Sequence, residues 1–147
     1  MSKQLHVNLG RLRELSERAR DQAQTHFAEQ QRRCERIAGN VDKLEALAGS
    51  AAPTAADGRL TAALLANQGA YKDTVLDLAR GQRKALDQSR ADAAAAQAAL
   101  ISESRREAAL DKARSQVGAR LALDARRQEQ KQQDALASQS WLRGDRP

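Results

Sequence analysis

The sequence predicts an all-α fold, an antiparallel two-helix coiled-coil hairpin with unequal arms. Three observations carry that expectation. Apolar residues recur at steps of four and three over most of the chain, the mark of a helix seam. Of the 147 residues 30% are charged and only Phe27, Tyr71 and Trp141 are aromatic, which suits long charged helices better than a globular core. The clearest break, GSAAPTAADG at residues 49–58, separates a shorter helical part from a longer one. The whole of 1–147 reads as one elongated coiled-coil domain.

The first helix is expected over about residues 3–48. Its stripe reads Leu5, Leu9, Leu12, Ser16, Ala19, Ala23, Phe27, Gln30, Cys34, Ile37, Val41, Leu44 and Ala48. Two consecutive steps of four, from Ala19 to Phe27, form a stutter that would locally unwind a left-handed coil. Gly10 and Gly39 each cost about 1 kcal/mol relative to Ala, but no Pro or turn cluster follows either, so the helix runs through both. At the corner, Gly49 suits a C-cap, Pro53 stops the helix, and Asp57 with Gly58 adds turn character.

Helical pattern resumes at about 59–67 with Leu60 and Leu64. Gly69 is a candidate break between this short helix and the long helix at about 70–141, with a frayed tail at 142–147. The second stripe reads Tyr71, Val75, Leu78, Gln82, Ala85, Ser89, Ala93, Ala96, Leu100, Glu103, Glu107, Leu110, Arg114, Val117, Leu121, Asp124, Gln128, Lys131 and Ala135. It too carries a double step of four, from Ala85 to Ala93. The slim Ala93 to Ala96 run allows close approach by a neighbour, or is simply a good helix former. At 1.5 Å per residue the arms span roughly 69 and 106 Å. Packing Leu44 near Val75 places Leu5 near Arg114, so the helix is expected to lack a partner beyond about Arg114.

Charge is unevenly spread. Residues 1–58 hold 9 basic and 8 acidic side chains and residues 59–147 hold 16 and 11, so the second part carries +5 of the net +6. Within 105–131 there are 8 basic and 4 acidic residues, a field that could steer an acidic partner. Arg126, Arg127 and Lys131, with Arg120 one to two turns earlier, form a basic surface there, against the plainer reading of a solvated helix face. Pairs such as Glu14 with Arg18 support the helices without defining a site.

Catalysis finds no footing. Two distant histidines, His6 and His26, one cysteine and no Gly-rich phosphate loop leave no nucleophile and base with plausible geometry, and no zinc-like spacing. The chain is read as a non-enzyme without cofactor, metal or catalytic residues. Cys34 beside Ile37 reads as a small core residue, and a single cysteine excludes an intrachain disulfide. The RGD at 143–145 reads as tail. Nucleic-acid binding is disfavoured, since Glu107, Asp111, Asp124 and Glu129 offset the basic helix and no aromatic platform accompanies it. No stretch approaches the ~20 apolar residues of a membrane span, and the N-terminus lacks a secretory apolar region, so a cytoplasmic protein without membrane insertion is expected.

The segment RRQEQKQQDALA at 126–137 resembles the C-terminal pattern of the FliJ family of flagellar type III export proteins. That pattern is a basic residue, Glu-Gln-Lys, two variable positions, Asp and usually Glu. Arg127, Glu129, Gln130, Lys131 and Asp134 fit it, while Ala135 stands where Glu is usual. RRC at 32–34, the Pro/Gly/Ala corner and NQGAYKDTVLDLARGQ at 67–82 extend the resemblance over nearly the whole chain. It implies a hairpin like the central stalk of rotary ATP synthases, soluble and peripherally associated with the inner membrane at the flagellar base. The implied partners are the hexameric flagellar export ATPase and the membrane export gate, with export chaperones as further cargo. By resemblance, ATPase binding falls to Arg120, Arg126, Arg127, Glu129, Gln130, Lys131 and Asp134. Gate binding falls to Asn40, Leu44, Leu47, Tyr71, Val75, Leu78 and Gln82. On periodicity alone Leu44, Val75 and Leu78 read as core, and Tyr71 and Gln82 as exposed. An injectisome stalk protein and a self-associating structural scaffold are the competing readings.

Overall fold

The structure, a computed structural model, describes residues 1–50 and 61–144. It contains two helices, α1 (Ser2–Ser50) and α2 (Ala62–Leu142), of 49 and 81 residues. The antiparallel coiled coil with unequal arms is therefore the observed fold class. Thr61 caps α2: its hydroxyl accepts from the Leu64 backbone N–H at 3.2 Å and its carbonyl accepts from the Leu65 N–H at 3.1 Å. At the other end Gly144 takes a positive φ of 53°, and its N–H donates to the Trp141 carbonyl at 3.3 Å, which closes the helix.

Two expectations about boundaries change. Gly49 is not a left-handed cap, since it lies inside α1, one residue before its end, without a positive φ. The rest of the expected corner, and the first residues of the expected short helix, lie outside the described residues. No separate helix ends before Gly69, because α2 runs unbroken from Ala62. One glycine costs about 1 kcal/mol in a helix, which a cap upstream and a long helix downstream readily offset. Gly39 and Gly81 lie within the helices with open space where a Cβ would stand. Gly39→Ala with Gly81→Ala is thus expected to stabilise the protein by about 1–2 kcal/mol in denaturant unfolding, through helix propensity and reduced unfolded-state freedom.

The chain packs as two units, Asp21–Ile101 and Met1–Arg20 with Ser102–Pro147. In the first, the paired faces are Ala23, Phe27, Gln30, Cys34, Ile37, Val41, Leu44 and Ala48 on α1. They meet Val75, Ala79, Gln82, Leu86, Ser89, Ala93, Ala96 and Leu100 on α2. The buried apolar residues among those described, Val41, Ala48, Val75, Ala79, Leu86 and Ala96, all belong to this unit. Small side chains let the helices approach closely. Ser89, 1% exposed, meets Cys34 with Oγ 3.1 Å from Sγ, so Cys34 sits in the seam as expected. On one flank Arg83 Nε donates to Glu45 Oε1 at 2.8 Å.

In the second unit the paired faces are His6, Leu9, Arg13, Ser16 and Arg20 on α1 and Glu103, Glu107, Leu110, Arg114, Val117 and Leu121 on α2. Ser16 is its sole buried residue among those described. Ions replace apolar contacts: Arg20 Nη1 lies 2.9 Å from Glu107 Oε2, and Arg13 Nε 3.0 Å from Asp111 Oδ1. The Arg114 guanidinium stands over Gly10, and His6 over Gly118. As numbers rise on α1 they fall on α2 in both units, which makes each pairing antiparallel.

These faces step by three and four without exception, from His6 to Ala48 on α1 and from Val75 to Leu121 on α2. Neither predicted stutter exists. The seam passes through Arg13 and Arg20, not Leu12 and Ala19, and through Ala79 and Leu86, not Leu78 and Ala85. Lettering the seam positions a and d, with Val41 at a and Val75 at d, the remaining positions b, c, e, f and g follow by count. The register is also shifted. Gly10, not Leu5, faces Arg114, so pairing reaches Leu121 and the uncovered end begins at residue 122 and not near Arg114.

Candidate functional site

Every described residue from 122 to 144 is exposed, although α2 continues to Leu142. This end carries most of the residues expected to bind the ATPase. Arg120, Arg127, Lys131 and Asp134 share one row at steps of seven, four and three, with Asp124 filling the wide step. Arg126 and Gln130 occupy the adjoining row, and Glu129 points to the far side of the helix. The structure thus sets four of the seven on one row with Gln130 beside it, and places Arg126 between Gln130 and the averted Glu129. All seven are exposed, and among the described residues none forms an ion pair. Guanidinium and ammonium groups held in water on a rigid helix can engage carboxylates without first breaking an internal pair.

Trp141 belongs to the first row, about two turns beyond Asp134, and is 83% exposed. It borders an open hollow of about 520 Å³ lined by Ala137, Ser138, Trp141 and Leu142. Sequence reasoning took it for the last helical residue. The step of three and four through Ser138 was the available signal.

The second expected set lies in the unit Asp21–Ile101 and splits in two. Leu44, Val75 and Gln82 are in the seam, with Val75 buried. Asn40, Leu47, Tyr71 and Leu78 are all exposed, and all four fall at g positions. In an antiparallel pair g faces g, as the e-position partners Glu45 and Arg83 face each other on the opposite flank. The four therefore line one flank. Leu78, expected in the core, is 56% exposed, and Gln82, expected outside, is half-buried. The unbroken period explains both: it assigns the seam to Ala79 and Gln82 and leaves Leu78 beside it. Tyr71 is exposed as expected, at 49%. Beside Leu47 the surface forms a shallow apolar hollow of about 460 Å³, bordered by Lys43, Ala46 and Ser50.

Among the described residues no group of three or more His, Cys, Asp and Glu side chains is placed to hold a metal ion. The exposed residues of the first set are mainly charged, and those of the second largely apolar.

Comparison with known proteins gave no match among curated proteins and none among solved structures. A family model described as the flagellar FliJ protein matches residues 5–146 of the 147. Because that match takes in both helices, the flank at Tyr71 and Leu78 and the exposed end of α2, the chain belongs to the FliJ family of flagellar type III export components.

Proposed function

We propose that this chain is a non-enzymatic stalk protein that binds the flagellar export ATPase ring, couples it to the membrane export gate and takes part in handling export chaperones. One observation carries the reading. Pairing stops at Leu121 while α2 continues to Leu142, so about six turns of helix are available to a ring, and they present Arg127, Lys131, Asp134 and Trp141 on one row. Hydrolytic residues would belong to the ring. Family membership supports the flagellar reading over an injectisome. Mixing the purified chain with the export ATPase tests it directly: hexamer formation and nucleotide turnover should both rise. Unchanged oligomer size and turnover would overturn it.

The flank of Asn40, Leu47, Tyr71 and Leu78 serves as the gate contact in this reading. Two leucines and a tyrosine on one flank provide an apolar strip with a polar rim, the pattern of a helix face that enters a groove. Leu78→Asp changes a side chain outside the seam, so its thermal unfolding should stay within about 0.5 kcal/mol of the parent. Affinity for the cytoplasmic part of the gate, read by titration calorimetry, should fall about tenfold or more. A cytoplasmic location with peripheral attachment at the flagellar base fits, as no described helix is long and apolar enough to cross a membrane.

A further inference from the structure

The outer side of α1 carries a second row at steps of four and three, alongside the seam: Met1, Leu5, Asn8, Leu12, Leu15 and Ala19. Its large apolar side chains face water, with Leu5 at 50%, Leu12 at 46% and Leu15 at 60% exposure. A helix already paired through one seam gains nothing from a second apolar stripe of the same period unless another helix covers it. The row occupies c and g positions of Met1–Arg20.

Charge on this side is of one sign. At c, f and g positions of α1 over Met1–Arg20, and of α2 over 102–121, the charged residues are Arg11, Arg18, Arg105, Arg106, Lys112 and Arg120. None is acidic, and among the described residues none of the six forms an ion pair. The acids of the same stretches, Glu14, Glu17, Glu103, Glu107 and Asp111, stand in the seam or toward the other flank. Because g faces g, Arg106 and Arg120 border the flank that Leu5 and Leu12 line. Ala113 between them leaves room.

We infer that this flank is a docking surface for an acidic amphipathic helix of a partner protein, lying along Leu5, Leu12 and Leu15 with its carboxylates toward Arg11, Arg18 and Arg106. The row extends from Met1 to Ala19, 19 residues and roughly 27 Å end to end, enough for about five turns of a third strand. A second copy of this chain is the poorer occupant. It would set the same unpaired arginines against these, and its exposed end at 122–144 has Arg126, Arg127, Lys131 and Arg143 against three acids, Asp124, Glu129 and Asp134. The surface is separate from the ATPase-binding row of α2 except at Arg120, which the test leaves intact.

The probe is a fluorescent helical peptide of about twenty residues with Leu at seam spacing and Glu on both flanks. Titrated with the full chain, it should show saturable anisotropy that weakens as salt rises. Leu12→Gln with Leu15→Gln, and separately Arg11→Glu with Arg18→Glu, should each weaken binding at least tenfold at unchanged circular dichroism. Glu14→Gln, directed away from the flank, should not. Equal binding of a scrambled peptide of the same composition overturns the inference, as does undiminished binding by both double variants. So does a dimer in sedimentation that Leu12→Gln with Leu15→Gln dissociates, since a second copy would then be the occupant. A failure of ATPase stimulation bears on the stalk reading and leaves this outcome unaffected.

Discussion

Reversing two charges on the uncovered end of α2, with Arg127→Glu and Lys131→Glu, is expected to weaken binding to the ATPase ring by tenfold or more and to remove its stimulation. Both side chains stand on one row, one turn apart, and neither is held by an internal partner. The change therefore leaves no orphaned charge inside the protein, and circular dichroism should report the same helix content. The loss should appear mainly in the association rate at low salt, because exposed charges act chiefly by steering. Glu129→Lys, on the far side of the helix, should have a much smaller effect. Equal losses from Glu129→Lys and from the row variants would show that total charge matters and the row does not. Trp141→Ala on the same row adds a check by another chemistry, since it removes apolar area and not charge.

The second large effect concerns the ion pair of Arg20 and Glu107. Glu107 keeps only 15% of its side chain exposed and Arg20 34%, so removing Glu107 takes a close carboxylate from a guanidinium in a partly dry seam. Glu107→Ala should destabilise the protein by roughly 1–3 kcal/mol, less than for a fully buried pair because Arg20 still reaches water. Replacing both, with Arg20→Leu and Glu107→Leu, should reverse the sign and stabilise by about 1–2 kcal/mol, as seam positions then take the side chains a coiled coil favours. Hydrogen exchange at amides of Met1–Arg20 and of residues 102–121 would locate the change. A double variant no more stable than Glu107→Ala would show that the seam needs these ions for its geometry.

Those two residues also mark where the sequence was hard to read. The fold class, both helices and most seam positions were legible, because Ala23 to Ala48 and Ser89 to Leu121 follow the period with enough apolar residues to fix it. Where the seam takes charged or small residues, hydrophobicity pointed to the wrong neighbours. Leu5, Leu12 and Ala19 drew the stripe off His6, Arg13 and Arg20, and Leu78 drew it off Ala79, after which the row fell on Ala85 and missed Leu86. Each substitution then demanded a stutter to recover phase. A coil buries whatever its period presents and pairs the charges across the seam, so strict spacing outweighs polarity. The two false stutters were themselves a signal: one vanishes when Arg20 enters the row, the other when Leu86 does.

For the candidate sites, the exposed basic end was visible in the sequence as charge, but the division of its residues between sides of the helix was not assigned. Leu78 was misplaced for the same reason as the stripe. Leu5 and Leu12 of the exposed row on α1 read as core in the sequence because an exposed stripe and a buried one have the same spacing. Only the opposing helix distinguishes them.

The unbroken period of the seam also constrains how such a chain can change in length. Losing one residue between Leu86 and Ser89 would turn everything after the lesion by about 100° relative to everything before it. Side chains that now face α1 would then face water, and Ala79 and Ala93 could not both stay in contact. Seven residues make two turns of this coil, so insertions and deletions within the arms are tolerable chiefly in sevens, matched on both helices. Among homologues, arm lengths should therefore differ in steps of seven, and other differences should gather between the helices or beyond residue 121, where no partner keeps count.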